Sequence, residues 1–183
     1  NDAYPDDRWH NPFKITIGVK PSVTSIREQD ILKYNYIDFS PFLQLTKTVG
    51  RGELTFYSEY ELGDNIFNND QHTSLTYSLP LGEKSNLLTE LIFQQSEPDF
   101  FYMHYHGSGL HWDNEDYDKT RLFKANVGYK YGNFLDLQLS ASNIDNLVWL
   151  SPQLKPYQSD GTFWLMQARL NMHIELWGWL RYD

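Results

Sequence analysis

The sequence contains no cysteine in its 183 residues. Disulfide frameworks and thiolate-ligated metal sites are therefore excluded. It has no run of about 18 apolar residues, so it encodes no transmembrane helix. A bilayer is still open to it, because β-barrels cross on strands of alternating polarity. Positive charge is scarce: 15 Lys and Arg stand against 24 Asp and Glu, for a formal charge of -9. Such a chain repels phosphates, which argues against a nucleic-acid partner. Residues Asn1 to Arg8 show neither a basic n-region nor an apolar h-region, so no signal peptide is visible. The first residue is Asn rather than Met, which leaves secretion open. The sequence also lacks a Gly-x-Ser-x-Gly elbow, a phosphate loop and a dinucleotide fingerprint.

What the chain does have is aromatic side chains, 16% of all residues, within a 40% hydrophobic composition. That is too apolar for intrinsic disorder. The hydrophobic residues recur with a period of two. From Gly52 to Leu62, one set holds Leu54, Phe56, Tyr60 and Leu62; the other holds Glu53, Thr55, Tyr57, Glu59 and Glu61. Successive side chains of a strand point to opposite faces, so this segment is a strand with one oily and one wet side. The same alternation runs through Phe13, Ile15, Ile17 and Val19 against Lys14, Thr16, Gly18 and Lys20. It returns around Leu43, Leu75, Val127, Leu137 and Met166. The stretch from Asn86 to Gln95 fits less well, because Leu87 and Leu88 put apolar groups on both faces.

The pattern predicts about eight strands, roughly 13–26, 35–48, 52–62, 72–81, 86–96, 118–131, 133–149 and 162–174. Pro41 and Pro80 fall inside predicted strands, where each removes a ladder donor or marks a bulge. The links at Val49–Gly52, Gly82–Ser85 and Gly132–Asn133 are short and turn-rich; those at 27–34, 63–71, 97–118 and 151–161 are longer and polar. Short and long alternate, so an up-and-down meander puts all short turns at one end. That asymmetry is characteristic of outer-membrane barrels.

The wet face carries Glu53, Glu59, Glu61, Lys124, Lys130, Asp136, Gln138 and Arg169, which suit a water-filled lumen. Aromatics gather near strand ends, at Tyr34, Tyr36, Tyr57, Tyr60, Tyr129, Tyr131, Trp149, Phe163, Trp164, Trp177 and Trp179. Girdles of this kind sit at membrane interfaces. The expected fold is all-β: an antiparallel up-and-down meander forming a transmembrane β-barrel or part of a larger one. Residues 1–183 make one domain, with 1–12 as an N-terminal extension.

One dense ligand cluster stands out. His104, His106 and His111 lie close to Asp113, Glu115, Asp116 and Asp118. His104, His106 and Asp113 are weak candidates for a metal, but the spacings match no known site and fit a polar outer loop, so no metal is expected. Ser108 between Gly107 and Gly109 offers a nucleophile without its elbow, so no hydrolase is expected either. Glu53, Glu59 and Glu61 could suggest paired carboxylates for glycoside cleavage, but a wetted wall explains them better.

From about Asn35 onward the chain resembles the putative porin family of Bacteroidota outer-membrane β-barrels. Three stretches carry the resemblance: Tyr36 to Leu45; Glu97 to His106 with the Trp112-Asp113-Asn114 step; and Asn143 to Trp149 with Pro156-Tyr157-Gln158 and the strand Phe163 to Asn171. The resemblance implies a many-stranded barrel in the outer membrane, and passive passage of small solutes. It covers only part of such a barrel. Glu115 and Asp116 stand where the family pattern has an aromatic, and the chain lacks a terminal aromatic. From Trp177 to Asp183 it reads as a turn and the start of another strand, so the expectation is a segment of a larger barrel rather than a complete eight-stranded one. The expected surroundings are membrane lipid, small solutes and further barrel strands or protein partners, with no cofactor and no enzymatic reaction. The alternative is a soluble calycin-like barrel or sheet module binding a small ligand or glycan, with the apolar face turned inward.

Overall fold

The period of two is realised as extended backbone along nearly the whole chain. The computed structural model describes residues 13–28, 32–62, 70–98, 100–107, 110–114, 116–176 and 180–182. In chain order it contains β1 (Lys14–Glu28), β2 (Leu32–Val49), β3 (Gly52–Tyr60), β4 (Gln71–Pro80), β5 (Ser85–Ser96), the single helical turn α1 (Phe100–Met103), β6 (His104–Gly107), β7 (Leu110–Asp113), β8 (Thr120–Tyr131), β9 (Leu135–Asp145), β10 (Val148–Leu150), β11 (Pro156–Gln158), β12 (Thr162–Met172), β13 (Ile174–Leu176) and β14 (Leu180–Tyr182). Eight strands form one antiparallel sheet in the order β1-β2-β3-β4-β5-β8-β9-β12. Skipping the two loop hairpins, β6–β7 and β10–β11, this is a plain meander. The sheet is open: among the described residues, β1 pairs only with β2, and β12 only with β9.

Register decides which side chains share a face. Ile17 stands opposite Leu43, Leu45 opposite Phe56, and Phe56 opposite Leu75. Leu75 then meets Leu91, Phe93 meets Phe123, Val127 meets Leu139, and Leu137 meets Leu170. Opposed residues point the same way, so the apolar sets of all eight strands merge into one continuous face. A slip of one residue in any ladder would put that strand's apolar set on the wrong side.

The burial of the two faces is inverted relative to a water-soluble sheet. On inner strands, Leu91 is 46% exposed, Phe123 51% and Leu139 48%, all on the apolar face. On the polar face Asp38 is 1% exposed, and Ser40 and Ser142 are buried. Met103 is the only buried hydrophobic residue among those described. A chain that hides serine and presents leucine is not minimising apolar contact with water.

Several expected boundaries need correction. The link placed at 27–34 is mostly strand: β1 and β2 stay paired out to Glu28 opposite Leu32. The ladder between β2 and β3 stops at Phe42 opposite Glu59, so the β1–β2 hairpin projects beyond its neighbour. The strand placed at 133–149 ends at Asp145, because Asn146 adopts a φ of 56° and turns the chain. Pro41 makes no bulge. It lies between the last β2–β3 pair and the isolated Phe39–Leu62 bridge, whose N–H groups donate reciprocally at 3.2 and 2.9 Å, so its missing donor falls in a gap. Pro80 ends β4. Tyr57, grouped above with interfacial aromatics, stands opposite Gln44 on the polar face. The mixed stretch is resolved by register: Leu87, Leu91 and Phe93 join the apolar face, while Leu88 and Ile92 flank Glu90 on the polar one. Residues 1–12, Ser108, Glu115, Trp177 and Trp179 lie outside the described residues, as do the side chains of Tyr34, Tyr36 and His106.

The expected asymmetry of the two ends is present. Short turns at 50–51, 81–84 and 132–134 share one end. The projecting β1–β2 hairpin and the connections at 61–70, 97–119 and 146–161 share the other. Gly50 and Gly132 take φ values of 64° and 51° in the short turns, a left-handed conformation that glycine adopts without a Cβ penalty.

Candidate functional site

The polar face and the loop end it opens onto are where chemistry can occur. Register places Glu53, Glu59, Lys124, Lys130, Asp136, Gln138 and Arg169 all on the polar face: Lys130 stands opposite Asp136, and Gln138 opposite Arg169. Glu61 follows β3 at the loop end. These residues are spread across the sheet rather than drawn into one catalytic cluster. Glu59 is the one that enters a dense network.

That network is built across four strands. Lys20 of β1 reaches over β2 and donates to the Tyr57 hydroxyl and to Glu59 Oε2, each at 2.7 Å. Tyr57 also donates to Glu59 Oε2. The Lys20 ammonium lies 5.3 Å from the ring centres of both Phe42 and Tyr57, a favourable cation–π distance. Phe42 stacks on Tyr57 at 6.0 Å, and Tyr57 contacts His72 at the same distance. The Phe42 ring fills the space above Gly18, where a Cβ would come within 2.5 Å of it. Sequence alone does not mark Lys20, Phe42, Tyr57 or His72 as site residues. Parity puts Lys20 and Tyr57 on the wet side, but their meeting across β2 depends on two registers at once.

Further along the face, Asn126 donates to Glu90 Oε2 at 2.8 Å, and Ser78 and Asn86 share a hydrogen bond. This face therefore keeps its polar groups paired mostly with one another, as a water-lined wall requires.

At the loop end, two connections are fastened into one structured rim. In the connection 97–119, Lys119 Nζ meets Glu97 Oε1 at 2.9 Å and closes the neck. Trp112 stacks on Tyr105 at 4.7 Å and donates from Nε1 to the Phe101 carbonyl at 3.0 Å. Asp113 pairs with His104, and Asn114 donates to the carbonyls of Met103 and Tyr102. The Trp112-Asp113-Asn114 step is thus a fastener for α1 and the β6–β7 hairpin. The Pro156-Tyr157-Gln158 step has a similar role. Tyr117 donates to the Pro156 carbonyl at 2.8 Å, while the Gln158 amide accepts from Asp118 N–H and donates to the carbonyls of Asp118 and Asn146. Among the described residues, no group of three or more side chains is arranged to hold a metal.

Two acids at this rim are shifted. Burial raises the Glu61 carboxyl above the usual carboxylate range, reinforced by Asp70, Asp38 and Glu59. Burial also raises Asp70, with Glu97 adding to it, although the Glu97 N–H at 2.8 Å and Lys119 act the other way. An acid whose folded pKa lies above its unfolded one favours the protonated form in the fold. Stability at this rim therefore rises as pH falls through the raised values, and the gain is complete below about 4. Amide-exchange protection around Glu61 and Asp70, corrected for intrinsic rates, should be greater at pH 5 than at pH 7. Equal protection, or less, at pH 5 would contradict the shifts, and Glu61→Gln with Asp70→Asn should flatten the dependence.

No helix among the described residues is long and apolar enough to cross a membrane, a finding that does not bear on strands. The family model described as "Putative porin" matches residues 21–183. No curated protein and no solved structure matches the chain.

Proposed function

The chain belongs to the putative porin family, and from that premise we propose that it forms part of the wall of an outer-membrane β-barrel through which small solutes pass passively. The apolar face meets hydrocarbon and the polar face borders the aqueous path. The observation that carries this reading is the inverted burial: Leu91, Phe123 and Leu139 of inner strands are presented outward while Asp38, Ser40 and Ser142 are sheltered. A soluble calycin-like barrel needs the reverse arrangement, with the oily side enclosed.

In this reading Glu53, Glu59, Glu61, Lys124, Lys130, Asp136, Gln138 and Arg169 set the water content and local field of the path, and no reaction is catalysed. Exposed sheet edges are not tolerated in hydrocarbon. The edges at β1 and β12 are thus closed by further strands, because eight strands alone leave an interior filled by side chains. The structured rim faces the exterior, as long loops of such barrels do.

The test is reconstitution of the chain together with the strands that close its edges. It should require detergent to remain monodisperse and should give stepwise ionic currents in planar lipid bilayers. Currents should fall with small neutral polymers that enter the bore and recover with larger ones that do not. Monodisperse behaviour without detergent, or insertion without conductance, would overturn the proposal.

A further inference from the structure

The polar face contains a hollow of about 320 Å³ over β5, β8, β9 and β12. Register builds it in rows. Asn126, Ser140 and Gln167 stand side by side on β8, β9 and β12. Lys124 lies two residues before Asn126 on β8, and Arg169 two residues after Gln167 on β12. The two cations thus flank a row of amide and hydroxyl groups from opposite sides, and both line the hollow. Gly128, in the same row as Gln138 and Arg169, adds no side chain there.

Among the described residues, neither Lys124 nor Arg169 makes an ion pair or a side-chain hydrogen bond. Elsewhere on the same face Lys20 is matched to Glu59. One carboxylate, Glu90, also lines the hollow, where it accepts from Asn126 at 2.8 Å, so the lining holds two cations against one anion. In a chain with a formal charge of -9, two unpaired cations against one carboxylate in one hollow are not explained by an excess of positive charge. A guanidinium fork and an ammonium beside amide donors are the groups that bind oxyanions, since charge-assisted bonds to carboxylate and phosphate oxygens are the strong ones.

The geometry points to a binding subsite for small multivalent oxyanions, held between Lys124 and Arg169 and oriented by Asn126, Gln138, Ser140 and Gln167. This deepens the preceding reading and rests on it for the location of the hollow beside the solute path. It gives the path a preference for anionic solutes at this point of the wall.

Pyrophosphate serves as the probe, with binding measured by equilibrium dialysis of the full chain in neutral detergent. The wild type should bind it saturably, and tetraethylammonium at the same concentration should not compete. Lys124→Gln combined with Arg169→Gln should weaken binding at least tenfold. Lys14→Gln, which removes one positive charge from the same face outside the hollow, should change it less than twofold and less than Lys124→Gln alone. In bilayers, pyrophosphate should block the current, with the same order among the variants. Absence of saturable binding, or equal loss in Lys14→Gln and the double variant, would overturn the subsite. Binding with the predicted order but no ionic current would leave the subsite standing and remove the pore.

Discussion

Leu75→Arg is expected to destabilise the membrane-inserted protein by about 2–4 kcal/mol, the cost of a basic side chain on the lipid face near the bilayer midplane. Leu75 is at mid-strand in β4, between Phe56 on β3 and Leu91 on β5, so its direct cross-strand neighbours offer the guanidinium no acceptor. The loss corresponds to roughly a 30-fold to nearly thousandfold fall in the inserted population. Its neighbour supplies the control. Thr76 points to the other face, between Thr55 and Glu90, and Thr76→Arg should fall within about 0.5 kcal/mol of wild type. Denaturant titration in lipid vesicles measures both. Similar effects for the two variants would mean that the faces do not meet different media, and the whole assignment of lipid and water would fail.

The second large effect is steric. Gly52→Ala should cost about 1–3 kcal/mol, the range for forcing volume into a packed site. A Cβ at Gly52 would sit 2.7 Å from the Ser78 carbonyl oxygen and 2.7 Å from the Tyr77 ring. The ring could swing aside, but the carbonyl belongs to β4 and cannot move without disturbing the ladder to β3. Tyr77 is also tethered, donating to the Val49 carbonyl at 3.2 Å across the same turn. Gly82 has open space where its Cβ would go and no left-handed φ, so Gly82→Ala should fall within about 0.5 kcal/mol of wild type. The same titration compares them, and equal midpoints would show that the Tyr77–Gly52 contact is not made in the bilayer.

Much of the wall was legible from the alternation. The strands around Phe56, Leu75 and Val127 follow directly from a period of two, because neighbouring residues of extended chain must diverge. The wet residues Lys124, Asp136, Gln138 and Arg169 follow from the same parity. Errors fell where a local pattern met a tertiary constraint. Residues 27 to 34 look like a polar link, yet β1 and β2 remain paired through most of them, because their continuous ladder costs no new loop closure. Beyond Asp145 the alternation reads on to Trp149, but the left-handed Asn146 breaks the strand while its side chain donates to the Lys119 carbonyl. The Trp112-Asp113-Asn114 and Pro156-Tyr157-Gln158 steps stood out as patterns without a stated purpose. Their purpose is contact with segments up to 40 residues away, which no local reading supplies.

By itself the sequence determined that the chain is strand throughout, that each strand has one oily and one wet side, and that turns and loops segregate to opposite ends. Those are properties of neighbours along the backbone. Only the tertiary structure decided that the oily sides align across all eight ladders, that this shared face is the exposed one, and that Lys20 finds Glu59 while Lys124 and Arg169 pair with no carboxylate. A period of two is blind to direction: it says that two faces differ, and it takes the pairing of every strand with its neighbours to say which of them is sheltered and which charges meet there.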